Sequence, residues 1–150
     1  MAVKILLFAI VMYIIFTSTE AKMKYTDCGS KKGIVENVDM VPSCGSVCNL
    51  HLGQNVTFTI TFKSKENIKS VQTVIHGVLF GMPAPFPLPN PDSCSDGDLT
   101  CPLKEDTVYH YVKQFYVEQY YPKLFLNIKY ELVDQDEIDI VCVKIPAKIL

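Results

Sequence analysis

The sequence predicts an all-β protein: an immunoglobulin-like sandwich of about seven antiparallel strands in two sheets, with a small antiparallel barrel as the second choice. Three observations predict it. The first is composition. After Ala21 the only alanines are Ala84 and Ala147, while Val, Ile, Thr, Tyr and Phe supply 43 of 129 residues, the usage of strands rather than helices. The second is period-two alternation, which turns every other side chain to one face. The third is a series of turn signals that cut the chain into six or seven short segments with no helical interlude.

The elements follow in order. Lys4 and the apolar run Ile5–Phe16 read as a signal peptide, because 12 apolar residues are too few to span a bilayer. The small residues of Thr17–Ala21 place cleavage after Ala21. Residues 1–21 are therefore expected to be the signal and 22–150 a single domain, large enough to bury about two-thirds of its unfolded surface. Ile34–Val41 is the first candidate strand. Val56-Thr57-Phe58-Thr59-Ile60-Thr61-Phe62 alternates without a fault, and Leu124–Leu132 does so apart from Phe125. Val71–Phe80, Tyr109–Val117 and Ile138–Ile145 complete the set. Gly53, Lys63–Asn67, Asp96-Gly97, Tyr121-Pro122 and Asp134–Glu137 mark the turns between them. From Pro83 to Pro91 every second residue is proline. Each proline lacks an N–H, so this stretch cannot sit inside a sheet; it is expected to run extended on the surface as a stiff wall.

Charge narrows the function. The net charge is −2 and the cations are all lysine. Without a basic surplus or an arginine fork, nucleic-acid binding is excluded as a reading. Six cysteines follow the signal, an even number suited to an oxidising compartment and three disulfides. Local geometry favours one pairing. Cys44 and Cys48 can close a small loop, and Cys94 and Cys101 flank a turn, which leaves Cys28 with Cys142. Cys44-Gly-Ser-Val-Cys48 has no second pair to complete a zinc site and is one residue too long for a thioredoxin-like motif, so no metal and no cofactor are expected.

Catalysis finds no footing. The chain has no Gly-x-Ser-x-Gly elbow, no His-Glu-x-x-His and no P-loop, and with the cysteines paired it has no thiol nucleophile, so it is read as not an enzyme. His76 beside Gly77 reads as a buried, hydrogen-bonded histidine, and His51 and His110 as surface residues. Asp134, Asp136, Glu137 and Asp139 read as a solvated acidic turn. Asn55-Val56-Thr57 is an N-glycosylation sequon that makes Asn55 a candidate glycosylation site.

A family resemblance rests on particular residues. Asp27-Cys28-Gly29-Ser30, His76-Gly77, Pro83–Asp92 leading into Cys94, Cys101-Pro102, Tyr121-Pro122 and Cys142-Val143-Lys144-Ile145-Pro146 together resemble the Niemann–Pick type C2 proteins of the ML lipid-recognition superfamily. The likeness runs through nearly all of the chain after the signal. It implies a sandwich whose sheets splay to enclose an apolar tunnel, and disulfides that match the pairing above. It puts the tunnel mouth at Phe86, Val117 and Tyr121. It puts the interior at Val56, Phe58, Ile75, Leu79, Phe115, Leu126, Ile128, Tyr130 and Val143. Alternation alone already assigns Val56, Phe58, Leu126, Ile128 and Tyr130 to the inward face. Sterol-carrying members have tryptophans where this chain has Tyr130 and Val143, and Ala84 and Tyr116 also depart from their pattern. The implied ligand is thus a sterol, a fatty acid or a similar lipid signal. The function implied is a soluble, secreted, monomeric carrier, extracellular or in the lysosomal lumen, that makes transient contact with a membrane or receptor. The alternative is an extracellular lipid-presenting co-receptor or innate-immune recognition module.

Overall fold

The computed structural model describes residues 22–95 and 99–150, and these form nine strands and no helix. The expected signal peptide Met1–Ala21 and the Asp96-Gly97 turn lie outside the described residues. The strands are β1 (Thr26–Asp27), β2 (Gly33–Val41), β3 (Cys48–Leu50), β4 (Asn55–Ser64), β5 (Gln72–Leu79), β6 (Met82–Phe86), β7 (Val108–Tyr116), β8 (Phe125–Val133) and β9 (Asp139–Ile149). One sheet has the order β1-β9-β8-β5-β6, with β3 also on β9; the other has the order β2-β4-β7.

All pairings are antiparallel except β3 on β9, which is parallel. The six candidate strands read from the sequence are present. β1 and β3 escape that reading because strands of two and three residues carry too little pattern, and β6 falls in the stretch expected to lie outside the sheets.

Two elements differ from expectation, both through proline. The predicted last strand stops at Ile145, before Pro146, yet β9 continues to Ile149. The carbonyl of Cys142 accepts the Cys28 N–H, so even-numbered residues of β9 turn their backbone groups to the β1/β3 edge. β1 pairs with Val143 and Lys144, and β3 starts at Ala147. Pro146 falls between the two, where no partner needs its missing N–H. The proline wall is likewise part of the sheet up to Phe86: β6 pairs with β5 from Leu79↔Met82 to Ile75↔Phe86. Proline at every second position puts all the absent N–H groups on one side. β6 is an edge strand, and that side is the open one. Phe80 and Gly81, with φ of 48° and 80°, form the two-residue turn that closes this hairpin.

The inner faces of the two sheets meet as a solid core at one end only. Val38, Ile60, Phe62, Ile68, Leu103, Leu132 and Ile140 are fully buried there. Disulfides join Cys28 to Cys142, Cys44 to Cys48 and Cys94 to Cys101.

The acidic turn after β8 is not wholly solvated, because Asp134 is buried. Its Oδ1 accepts the N–H groups of Asp136 and Ile138, and its Oδ2 accepts a 2.5 Å bond from Lys32 Nζ. Lys32 also lies 2.8 Å from Glu66, and the two carboxylates, Asp134 first, hold its ammonium well above the ordinary lysine range.

Candidate binding cavity

At the other end the sheets stand apart around a cavity of about 330 Å³. Alternation supplies its walls. The inward residues of β4 contribute Val56 and Phe58, those of β5 Ile75, Gly77 and Leu79, and those of β8 Leu126, Ile128 and Tyr130. On the same faces the next inward residues, Ile60, Thr73 and Leu132, are packed into the solid end. One pair of sheets is thus hollow for half its length and filled for the rest. Gly77 helps keep the hollow open. A Cβ there would meet only the tip of Leu126 at 3.0 Å, so the wall at this point has no side chain to project inward.

Aromatic rings form the mouth. Phe86, the last residue of the proline-stiffened edge strand, packs edge-to-face on Tyr121 at 5.7 Å and on Phe115 at 6.4 Å between ring centres. Tyr121 leans in turn on Tyr120. Burial, followed by Tyr120 and Glu118, pushes the Tyr121 phenol up to about 12, so it stays a neutral hydrogen-bonding group at physiological pH. At the same end of the large sheet several apolar side chains face solvent: Phe80 is 97% and Met82 67% exposed at the β5–β6 turn, and Phe125 is 55% exposed at the start of β8.

Of the positions singled out from the sequence, Phe86, Val117, Tyr121, Val56, Phe58, Ile75, Leu79, Phe115, Leu126, Ile128 and Tyr130 all border the cavity. Val143 does not. It is inward and fully buried, but it pairs with Tyr130 on the neighbouring strand at the row where the hollow ends, and it belongs to the core.

The cavity also takes in residues that sequence reading passed over: Met40, Leu50, Leu124, Ile145 and Ile149. Period-two phase marks Met40, Leu124, Ile145 and Ile149 as inward, but nothing local says that inward means cavity rather than core. Leu50 sits in the three-residue β3 and carries no such signal.

Of the remaining candidates, His76 also borders the cavity, and the acidic residues and Asn55 lie outside it. His76 is half-buried, with Nδ1 3.3 Å from Glu131 Oε2 but without hydrogen-bond geometry, so the expected hydrogen bond is not formed. Lys129 Nζ occupies the other oxygen of Glu131 at 2.6 Å. Burial, then Glu131, raises the Asp139 carboxyl above its usual range. Glu131, Asp139 and the Cys142 sulfur lie within 4.8 Å of one another, but the sulfur is committed to Cys28 and cannot be a thiolate ligand. Asn55 is exposed at the first position of β4.

Comparison with known proteins agrees with this architecture. Residues 22–149 match the family model described as ML domain. The chain is 40% identical over 146 residues to the ecdysteroid-regulated 16 kDa protein of Manduca sexta, covering 96% of this chain and 99% of that one. It is 43% identical over 130 residues to NPC intracellular cholesterol transporter 2 homolog a of Drosophila melanogaster, covering 85% and 87%. A crystal structure of a Niemann-Pick type C2 protein from the Japanese carpenter ant superposes with a TM-score of 0.81 at 34% identity, over 85% of this chain and all of that one. With the two-sheet sandwich, the match over residues 22–149 and the relatives in agreement, this chain belongs to the ML-domain family as a Niemann–Pick type C2-like protein.

Proposed function

We propose that this protein carries a hydrophobic small molecule, a sterol, fatty acid or similar lipid, in the cavity between its sheets. The observation that carries the reading is a hollow of about 330 Å³ in a sandwich that is otherwise filled, walled almost wholly by apolar side chains. Protein interiors pack as densely as organic crystals, so an unfilled apolar core needs an occupant to explain it. Desolvation drives loading. At about 0.8 kcal/mol per buried CH₂, a chain of about 16 carbons gains on the order of 10 kcal/mol before ordering costs. The hydrocarbon end enters first and the polar end stays at the mouth, within reach of Tyr121 and water. The exposed Phe80 and Met82 at the hairpin tip supply an apolar foot for transient contact with a membrane during transfer. A signal peptide over residues 1–21 and three disulfides support delivery to an oxidising fluid or the lysosomal lumen, with the exposed Asn55 available for glycosylation.

Native mass spectrometry of the secreted protein, followed by solvent extraction, tests the proposal: a lipid should travel with the protein as a monomer and be released unchanged. Phe86→Ala should weaken lipid binding about tenfold with a small change in Tm, the loss expected for one desolvated aromatic contact. Equal losses in both would make Phe86 a structural residue only. Ile128→Asp, folded by circular dichroism, should abolish binding, since an unpaired carboxylate in the wall costs several kcal/mol to desolvate. Unchanged binding would put the ligand elsewhere.

A further inference from the structure

The hollow and solid halves of the sandwich meet at Tyr130, and its phenol is tied down on the side away from the cavity. Its ring borders the cavity and packs on Phe58 at 4.5 Å and on Phe115 at 5.9 Å between centres. Its hydroxyl lies 2.7 Å from that of Tyr111. The Tyr111 hydroxyl lies 2.7 Å from Thr73 Oγ1, which lies 2.8 Å from Ser93 Oγ. Tyr111, Thr73 and Ser93 are buried and none of them borders the cavity. The hydroxyl chain therefore runs through the solid half, across β8, β7, β5 and the segment after β6. A buried hydroxyl that leaves such a chain loses a bond it cannot replace in an apolar cavity, so the ring is held as a fixed partition instead of a movable core side chain.

Resting on the lipid-carrier reading, we infer that Tyr130 is the specificity-determining stop that limits how much hydrocarbon the cavity accepts, with Tyr111 and Thr73 as positioning residues that latch it through their hydroxyls. The length limit belongs to the phenol network as much as to the ring. Loosening the latch from a residue outside the cavity should therefore change ligand length preference.

Competition of saturated n-alkanoic acids from about 10 to about 22 carbons against a fluorescent fatty acid tests this on the full disulfide-bonded protein. Affinity of the wild type should rise about fourfold per methylene up to a cut-off and then fall. Tyr130→Leu should move the cut-off to chains longer by about two carbons or more. Tyr111→Phe removes the hydroxyl that Tyr130 meets without touching the cavity wall. It should soften the same cut-off, raising affinity for the first chain beyond it about fourfold. Tyr130→Phe, which keeps the ring and drops the hydroxyl, should do the same and serves if the leucine variant fails to fold.

Lower melting temperatures with an unchanged length profile in Tyr130→Phe and Tyr111→Phe would make these residues merely structural and overturn the assignment. A wild-type protein that binds no acid of any length, and no cholesterol in the same assay, would overturn the carrier reading itself and this inference with it.

Discussion

Asp134 is the residue whose environment departs furthest from what its neighbours on the chain suggest. Four acids within six positions read as a solvated turn, yet this one is buried and organises the turn through two backbone N–H bonds and Lys32. Burial pushes its carboxyl up, but the Lys32 ammonium and the Ile138 and Asp136 N–H groups outweigh that and hold it below the ordinary range. Because the folded value is depressed, the unfolded chain takes up the proton first on acidification. The stabilisation is therefore present above the unfolded value, about pH 4, and is lost as pH falls through the folded value. Asp134→Asn keeps an acceptor for the backbone and loses the charge. It should cost about 1–2 kcal/mol at pH 7 in urea denaturation, with the difference closing as pH falls from the unfolded value through the depressed folded one. A gap of constant size across that range would show that the charge contributes nothing.

The instructive elements are β5 and β6, which make one wall and one lip of the cavity. Gly77 interrupts the inward residues of β5 with no side chain, and the alternate prolines let β6 close the edge without offering N–H groups outward. Period two made the inward set of β4 and β8 readable, and the prolines marked an extended segment. What the prolines hid was pairing: their spacing forbids a central strand but suits an edge one. The same reading could not tell that Gly77 leaves space, because a glycine beside a histidine has no local mark of facing a hollow. Gly77→Leu should fill that space. The protein is expected to lose its lipid while its Tm holds, since the leucine's burial, about 1.5–3 kcal/mol, is offset by the shift its Cβ forces on the Leu126 tip at 3.0 Å. Retained lipid in the native mass spectrum, with Tm unchanged, would mean that the leucine points away from the cavity.

For the molecule as a whole the open question is how a half-empty sandwich stays closed. The bridge from Cys28 to Cys142 spans 114 residues and fastens β1 to the central region of β9, the strand that holds β1, β3 and β8 together. In the chain-entropy account a loop of about 100 residues is worth about 4.7 kcal/mol. Replacing both cysteines with serine should cost about 4–5 kcal/mol, a large share of the stability of a small domain. Saturating fatty acid should restore part of it, because a ligand bound only by the folded state adds about 2.7 kcal/mol at a hundredfold excess over Kd. Denaturation midpoints with and without ligand check both statements; a midpoint unchanged by the double substitution would move the support to packing alone.

Strand composition, alternation, the order of cysteines and the likeness to a known family are properties of residues near one another along the chain, and they were enough for the sandwich, its inward faces and the family. Core and cavity are not told apart at that level. Phe58 and Ile60 have the same phase, the same strand and the same apolar chemistry, yet one faces a void and the other does not. The difference comes from what stands opposite across the two sheets: an absent side chain at Gly77, rings stacked at the mouth, and a Tyr130 ring held at the boundary by a hydroxyl from another strand. Distance between sheets is a sum over such cross-chain contacts, and it exists only once the chain has folded.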